Sequence, residues 1–182
     1  MKEQITEYVL SLYRDIPTAV YEGLLSVLCL GAVVIIACYG LKRGWRKIAG
    51  LLLVGYVFVI YCSTVIFRKV SEGAGYEFKP FWSYEAIHNG RQDLLVENIM
   101  NVVVFIPVGM ILGSWPRNGS WLRVKGSWLI VTVIGCSISI SIEAMQFFYH
   151  RGFAETDDVM HNTIGCIAGY ILVHGLRLMV KG

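Results

Sequence analysis

The sequence predicts an all-α integral membrane protein: a five-transmembrane-helix bundle with an N-terminal interfacial amphipathic helix. Three observations carry that prediction. The chain of 182 residues is 55% hydrophobic and only 16% charged, whereas a soluble domain carries about 25% charged residues. Its apolar residues fall in blocks long enough to cross the roughly 30 Å hydrocarbon core, which takes about 20 residues of helix. The alternating segments of a membrane barrel are absent, so helices must satisfy the backbone hydrogen bonds inside lipid.

The amphipathic element comes first. Ile5, Tyr8, Val9, Leu12 and Ile16 fall on one helical face, Lys2, Glu3, Glu7, Arg14 and Asp15 fall elsewhere, and Pro17 interrupts the pattern. A first span follows at about Ala19–Tyr39. Its apolar run is longer, and starts later, than that of a cleaved signal peptide. The remaining spans are expected at about Ile48–Phe67, Leu94–Gly113, Ser127–Phe148 and Val159–Met179. No soluble domain fits in the connections, so residues 1–182 read as a single transmembrane domain.

Charge sets the expected orientation. Sorting the connections onto alternate sides collects Lys42, Arg43, Arg46, Lys47, Arg117, Arg123, Lys125, Arg177 and Lys181 on one side, with no acid among them. Lysine and arginine in short loops mark the cytoplasm. The amino terminus is therefore expected outside and the carboxyl terminus inside. The net charge of +3 is explained by this topology, and nucleic acid is not an expected partner. The five cysteines lie in spans without paired spacing and read as small apolar residues.

Polar residues inside the spans point to a site. At 100° per residue, Thr132, Cys136, Ser139, Glu143, Gln146 and His150 form one stripe down the fourth span. Asp158, Asn162, Gly165 and Gly169 share a face of the fifth. Asn98, Asn101, Phe105 and Gly109 share a face of the third, with Glu97 at its margin. Gly109/Gly113 and Gly165/Gly169 are Gly-x-x-x-Gly pairs that allow close helix approach, so the three stripes are expected to pack together. Asn101, Glu143 and Asn162 fall at one level below the outer surface, near the bend expected at Pro107. An intramembrane carboxyl is costly unless paired or neutralised, which makes Glu143 the leading functional candidate. Arg151 is expected to pair with it, while Thr156 and Asp157 read as ordinary helix-capping residues.

The segments "NIMNVVVFIPVGMILG" and "IEAMQFFYHRGFAETDDVMHNTIGCIAGY" resemble the VanZ-like membrane family, named for a teicoplanin-resistance protein. The matching pattern is Asn98, Asn101, Phe105, Pro107 and Gly109, then Glu143, Gln146 and Arg151, then Asp158, Asn162, Gly165 and Gly169, with "KPFWSY" at residues 79–84 before the third span. The likeness is strongest over residues 75–179. It implies a multi-pass protein of the bacterial cell membrane, some of whose relatives lower susceptibility to teicoplanin-type lipoglycopeptides.

The reading that joins these points is a non-enzymatic protein with an outward-facing polar site that binds a cell-envelope component, such as a lipid-linked wall precursor or a lipoglycopeptide. Glu143 and Asp158 supply acceptors. Gln146, Asn162, Asn98 and Asn101 supply neutral hydrogen bonds, and Arg151 supplies a cation for carboxylate or phosphate. Tyr76, Phe78, Phe81, Trp82 and Tyr84 are placed to cover the mouth or to form an interfacial belt. Membrane lipids are the expected surroundings, and no cofactor is expected. Two alternatives stand beside this reading. One is a metal-assisted envelope enzyme using Asp157, Asp158 and His161, with Glu143 and His150 as further ligand types. The other is a small transporter, against which the lack of an inverted repeat counts.

Overall fold

Length and apolarity dictate long helices, and among the described residues four are long and apolar enough to cross a membrane: Lys47–Ile66, Asp93–Ser114, Ser127–Phe148 and Thr156–Leu176. The computed structural model describes residues 45–68, 70, 75–115 and 127–179. The expected interfacial helix and the expected span Ala19–Tyr39 lie outside the described residues. In chain order the elements are α1 (Trp45–Tyr61), continued by a π-helical turn (Cys62–Ile66), then β1 (Gly75–Glu77), α2 (Trp82–His88), α3 (Asp93–Ser114), α4 (Ser127–Phe148), β2 (Phe153–Glu155) and α5 (Thr156–Met179).

The most extensive packing is between α3 and α5, followed by α4 and α5. Small residues explain it. A Cβ on Gly109 would lie 1.8 Å from the Cys166 carbonyl oxygen, one on Gly165 would lie 2.0 Å from that of Val102, and one on Gly169 would lie 2.0 Å from that of Ile106. Backbone thus meets backbone along the whole seam, as the two glycine pairs predict. The buried apolar core is Phe105, Val108, Met110 and Ile111 of α3, Val131 and Ile142 of α4, and Cys166 and Val173 of α5, with Ala49, Tyr56 and Ile60 of α1. Leu51, Val54 and Phe58 of α1, Val133 and Ile140 of α4, and Ile164 and Ile171 of α5 point outward and exposed. Apolar surface in this amount is what a bilayer covers.

Most polar groups described within the spans find partners, as a low-dielectric surround requires; the Gln146 side-chain oxygen and the His161 Nδ1 are buried without one among the described residues. Pro107 sits inside an unbroken α3 and withholds the N–H that would bond the Val103 carbonyl. The Tyr56 hydroxyl donates to the adjacent Val104 carbonyl at 2.9 Å. Ser127 and Tyr170 share a hydroxyl hydrogen bond of 2.6 Å, and Tyr61 bonds Ser141. These contacts tie α1 to α3 and α4, and α4 to α5.

The expectation of an all-α chain needs one correction. β1 and β2 pair in parallel, with Gly75 opposite Phe153, Tyr76 opposite Ala154 and Glu77 opposite Glu155. A Cβ on Gly75 would lie 2.2 Å from the Phe153 ring, so glycine is what lets the strands close. Three-residue strands are too short to show a period-two pattern. The short helix α2, in the same connection, is likewise hidden from a hydropathy reading.

The end of α4 prepares the β pairing. His150 takes a left-handed φ of 53°. The Arg151 N–H bonds the Gln146 carbonyl at 2.9 Å and the His150 N–H bonds the Phe147 carbonyl at 3.3 Å. This is the Schellman pattern of helix termination. His150 therefore leaves the buried stripe and is exposed, contrary to its expected place.

Candidate functional site

Polar side chains from α3, α4, α5, α2 and β2 meet at the end of the bundle where α3 and α5 begin and α4 finishes. The three expected stripes do pack together. Asn101 of α3 donates to the Asp158 carboxylate of α5 at 2.7 Å, and Asn162 of α5 donates to Ser139 of α4 at 2.8 Å. Gln146 of α4 donates to the Thr64 carbonyl in the π-helical turn at 3.1 Å, while its side-chain oxygen is buried without a hydrogen bond among the described residues. Glu143 is 7% exposed and accepts the Glu155 backbone N–H at 3.0 Å. An intramembrane carboxylate thereby fixes the strand that follows its own helix.

Asp157 has a different role from the expected cap. One carboxylate oxygen accepts the Phe81 N–H at 2.6 Å, and the other accepts the Ser83 N–H at 3.0 Å and the Ser83 hydroxyl at 2.6 Å. Asn98 completes the chain by donating to the Ser83 hydroxyl at 3.1 Å. Asp157, Ser83 and Asn98 are all buried. The carboxylate thus clamps the start of α2 onto α5 and supports the left-handed φ of 65° at Phe81, a conformation that a bulky side chain rarely adopts. Trp82 donates its ring N–H to Glu155 at 3.1 Å. Tyr84 and His161 share a hydrogen bond of 2.8 Å.

The expected pairing of Arg151 with Glu143 is not formed. The Arg151 guanidinium donates to the carbonyls of Ile66 and Arg68, at 2.6 and 2.7 Å. These are orphan carbonyls beyond the π-helical turn, which a cation at a helix C-terminus satisfies. Arg68 is the cation whose charge reaches Glu143 and Asp158. Its guanidinium packs about 3.0 Å from the Cβ position of Gly152. Arg68 is a residue that sequence reasoning does not single out, because its place depends on where the turn after α4 puts Gly152.

Glu155 is the second residue missed. It stands just outside the spans, and burial, followed by the charges of Asp158 and Glu97, pushes its carboxyl up to about 8. The Trp82 hydrogen bond acts in the opposite direction and is outweighed. Asp157, Asp158 and His161, the alternative metal ligands, turn to three different partners: the start of α2, Asn101 and Tyr84. Among the described residues, no group of three or more His, Cys, Asp or Glu side chains is arranged to hold a metal ion.

A groove of about 560 Å³ opens beside this network. Ile140, Ala144, Phe147 and Phe148 of α4 form one wall, Tyr76 and Phe78 another, and Val159 of α5 the floor. Tyr76 stacks on Phe78 with ring centroids 4.8 Å apart and meets Phe147 edge-on at 6.0 Å. Glu143, Glu155 and Thr156 bring the polar groups to its inner side. Volume and lining fall in the range of small-molecule sites, which are mostly apolar with a few placed polar groups. The aromatics expected to cover the mouth divide accordingly: Tyr76 and Phe78 line the groove, while Trp82 braces Glu155 from α2.

The VanZ/LLP1 family pattern matches residues 48–178, a stretch that contains every residue of this network and groove. The chain belongs to the VanZ/LLP1 family. No curated protein and no solved structure matches the chain. It is a VanZ-family membrane protein, and at family level that name is associated with teicoplanin resistance.

Proposed function

We propose that this protein binds a lipid-tailed component of the bacterial cell envelope at the outer face of the cell membrane. The observation that supports this reading is the groove: an apolar trough of about 560 Å³ on the bundle, with Glu143 and Glu155 at its inner side. An acyl or prenyl chain fits the Ile140, Ala144, Phe147 and Phe148 wall, and a polar head reaches the carboxyls. A lipid-linked wall precursor and a lipoglycopeptide of the teicoplanin type share this build, which agrees with the family association.

The network beneath the groove keeps its geometry fixed. Asp157, Asn98 and Ser83 hold α2, Glu143 holds β2, and Asn101 and Asn162 join the three helices. These residues act as positioning groups, so that the ligand meets preorganised acceptors and affinity is not lost to ordering them. The outward orientation rests on the base-only connections of the opposite side. A thiol at position 89, beside α2, is expected to label from outside the cell, and thiols at positions 44 and 119 only after permeabilisation.

Bound-lipid mass spectrometry on the full chain, purified in mild detergent, tests the reading. The wild type should carry one envelope amphiphile enriched over the bulk membrane. Ala144→Trp, which fills the groove, should lose it. A wild-type lipid profile identical to bulk membrane would remove the proposal.

A further inference from the structure

The groove has a one-sided polarity. Among the described residues its ionisable lining side chains are Glu143 and Glu155, with Tyr76 the only other that could ionise, and none of the described lysines, arginines or histidines lines it. Arg68 lies against Gly152 and is not part of the lining. Arg151 is held by two backbone carbonyls. Resting on the groove as the ligand site proposed above, we propose that the head group it takes carries a primary ammonium, bound between the Glu143 and Glu155 carboxyls while the tail lies along Ile140, Ala144, Phe147 and Phe148.

Hydrogen-bond capacity fits that assignment. Glu143 uses one oxygen, Oε2, to accept the Glu155 N–H, and Glu155 uses Oε2 to accept Trp82. The Oε1 atom of each makes no hydrogen bond among the described residues. Two carboxylate acceptors on one wall call for a donor with several N–H groups, and a primary ammonium has three. A hydroxyl offers one donor and no charge. A phosphate or carboxylate head would find no opposite charge here and would meet like charge once the carboxyls ionise.

The surrounding charges reinforce the preference. Asp157 and Asp158 of α5 and Glu97 of α3 act on Glu155 from behind, Trp82 donates to it from α2, and Arg68 acts on Glu143 and Asp158 from beyond α1. Arg91, paired with Asp93, also acts on Glu155 and Glu97; among the described residues the acids outnumber these two cations. Burial holds the Glu155 carboxyl up at about 8, so an incoming ammonium exchanges with a proton at that group. An alkyl ammonium stays charged to about pH 10, as lysine does. Binding should therefore strengthen between about pH 6 and pH 9, a signature that neither an alcohol nor a phosphate head would give.

Native mass spectrometry of the full chain, released from a nonionic detergent, decides the matter with probes that share a dodecyl tail: dodecylamine, dodecanol and dodecyl phosphate. The expected result is about tenfold tighter binding of the amine than of either other probe. Glu155→Gln, which keeps an acceptor for Trp82, and Glu143→Gln should each bring the amine to the level of the alcohol. A cooperative thermal unfolding transition in the same detergent shows that these variants are folded. Equal binding of all three probes, or an amine preference that survives both substitutions, would overturn the head-group assignment and leave the groove reading in place. Failure of every probe to bind the wild type, or undiminished binding to Ala144→Trp, would overturn the groove reading and this assignment with it.

Discussion

Asp157→Ala should release α2 from the bundle. The wild-type carboxylate is 1% exposed and takes three donors: the Phe81 N–H at 2.6 Å, the Ser83 N–H at 3.0 Å and the Ser83 hydroxyl at 2.6 Å. Hydrogen bonds to a charged group contribute roughly 1.5–3 kcal/mol each, and a buried donor left alone costs about 1–3 kcal/mol. The three share one acceptor and are not additive, so the expected loss is about 3–5 kcal/mol for the segment. Part of it is recovered if α2 lifts away and its donors reach water. The left-handed Phe81 then has nothing to hold it. Hydrogen exchange on detergent-purified protein reads this directly: the Phe81 and Ser83 amides should exchange much faster in Asp157→Ala, while amides in the middle of α3 and α5 stay protected. Asp157→Asn should fall between, because its amide offers one acceptor where the site needs two. Unchanged exchange at Phe81 and Ser83 in Asp157→Ala would refute the clamp.

Three further outcomes follow from the same contacts. Glu155 binds a proton in the fold up to about pH 8, against 4.5 ordinarily. Between those values the folded state holds more protons than the unfolded one, so this group's contribution to stability declines as pH rises through the window. Melting curves of Glu155→Gln should show a shallower fall from pH 5 to 8 than wild type; parallel curves would contradict the buried-carboxyl account. Gly165→Ala and Gly109→Ala push a methyl into carbonyls that stand 2.0 and 1.8 Å from the Cβ positions, and should each destabilise by about 2–3 kcal/mol. Gly55→Ala, with nothing within 4 Å, should be neutral or slightly stabilising on the same thermal assay. Glu143→Gln and Arg151→Gln should be additive within about 0.5 kcal/mol, since they hold different backbone groups; a large coupling in the double-mutant cycle would restore the direct pair expected from sequence.

The spans were legible because a bilayer imposes a length and a composition that survive in any local window. Asp93–Ser114 and Ser127–Phe148 lie within a residue or so of the expected ends. The glycine seam was legible because Gly109, Gly165 and Gly169 recur at helical spacing, and Asn101, Asn162 and Glu143 because a polar residue inside an apolar run has few neutral explanations. What escaped notice depends on geometry that no periodicity encodes. The destination of Asp157 lies on α2, far away in sequence, and a residue in the first turn of a helix reads as a cap whatever its side chain holds. Arg151 was expected to fold back over Glu143, but the Schellman turn at His150 sends it to the carbonyls of Ile66 and Arg68. Glu155 became a site residue only because parallel pairing with β1, through the Phe153–Glu155 strand, carries it to the groove.

The ligand proposed for the groove between α4 and β1 is an envelope amphiphile, held there in the living membrane. Photo-crosslinking from a benzophenone amino acid at Phe147, on the groove wall, tests this most directly when compared with the same group at Val133, an exposed α4 position outside the groove lining. One dominant adduct is expected at position 147, an amine-bearing lipid-tailed molecule that disappears in Ala144→Trp, and only bulk phospholipid at position 133. Matching adduct profiles at the two positions, unaffected by Ala144→Trp, would contradict it.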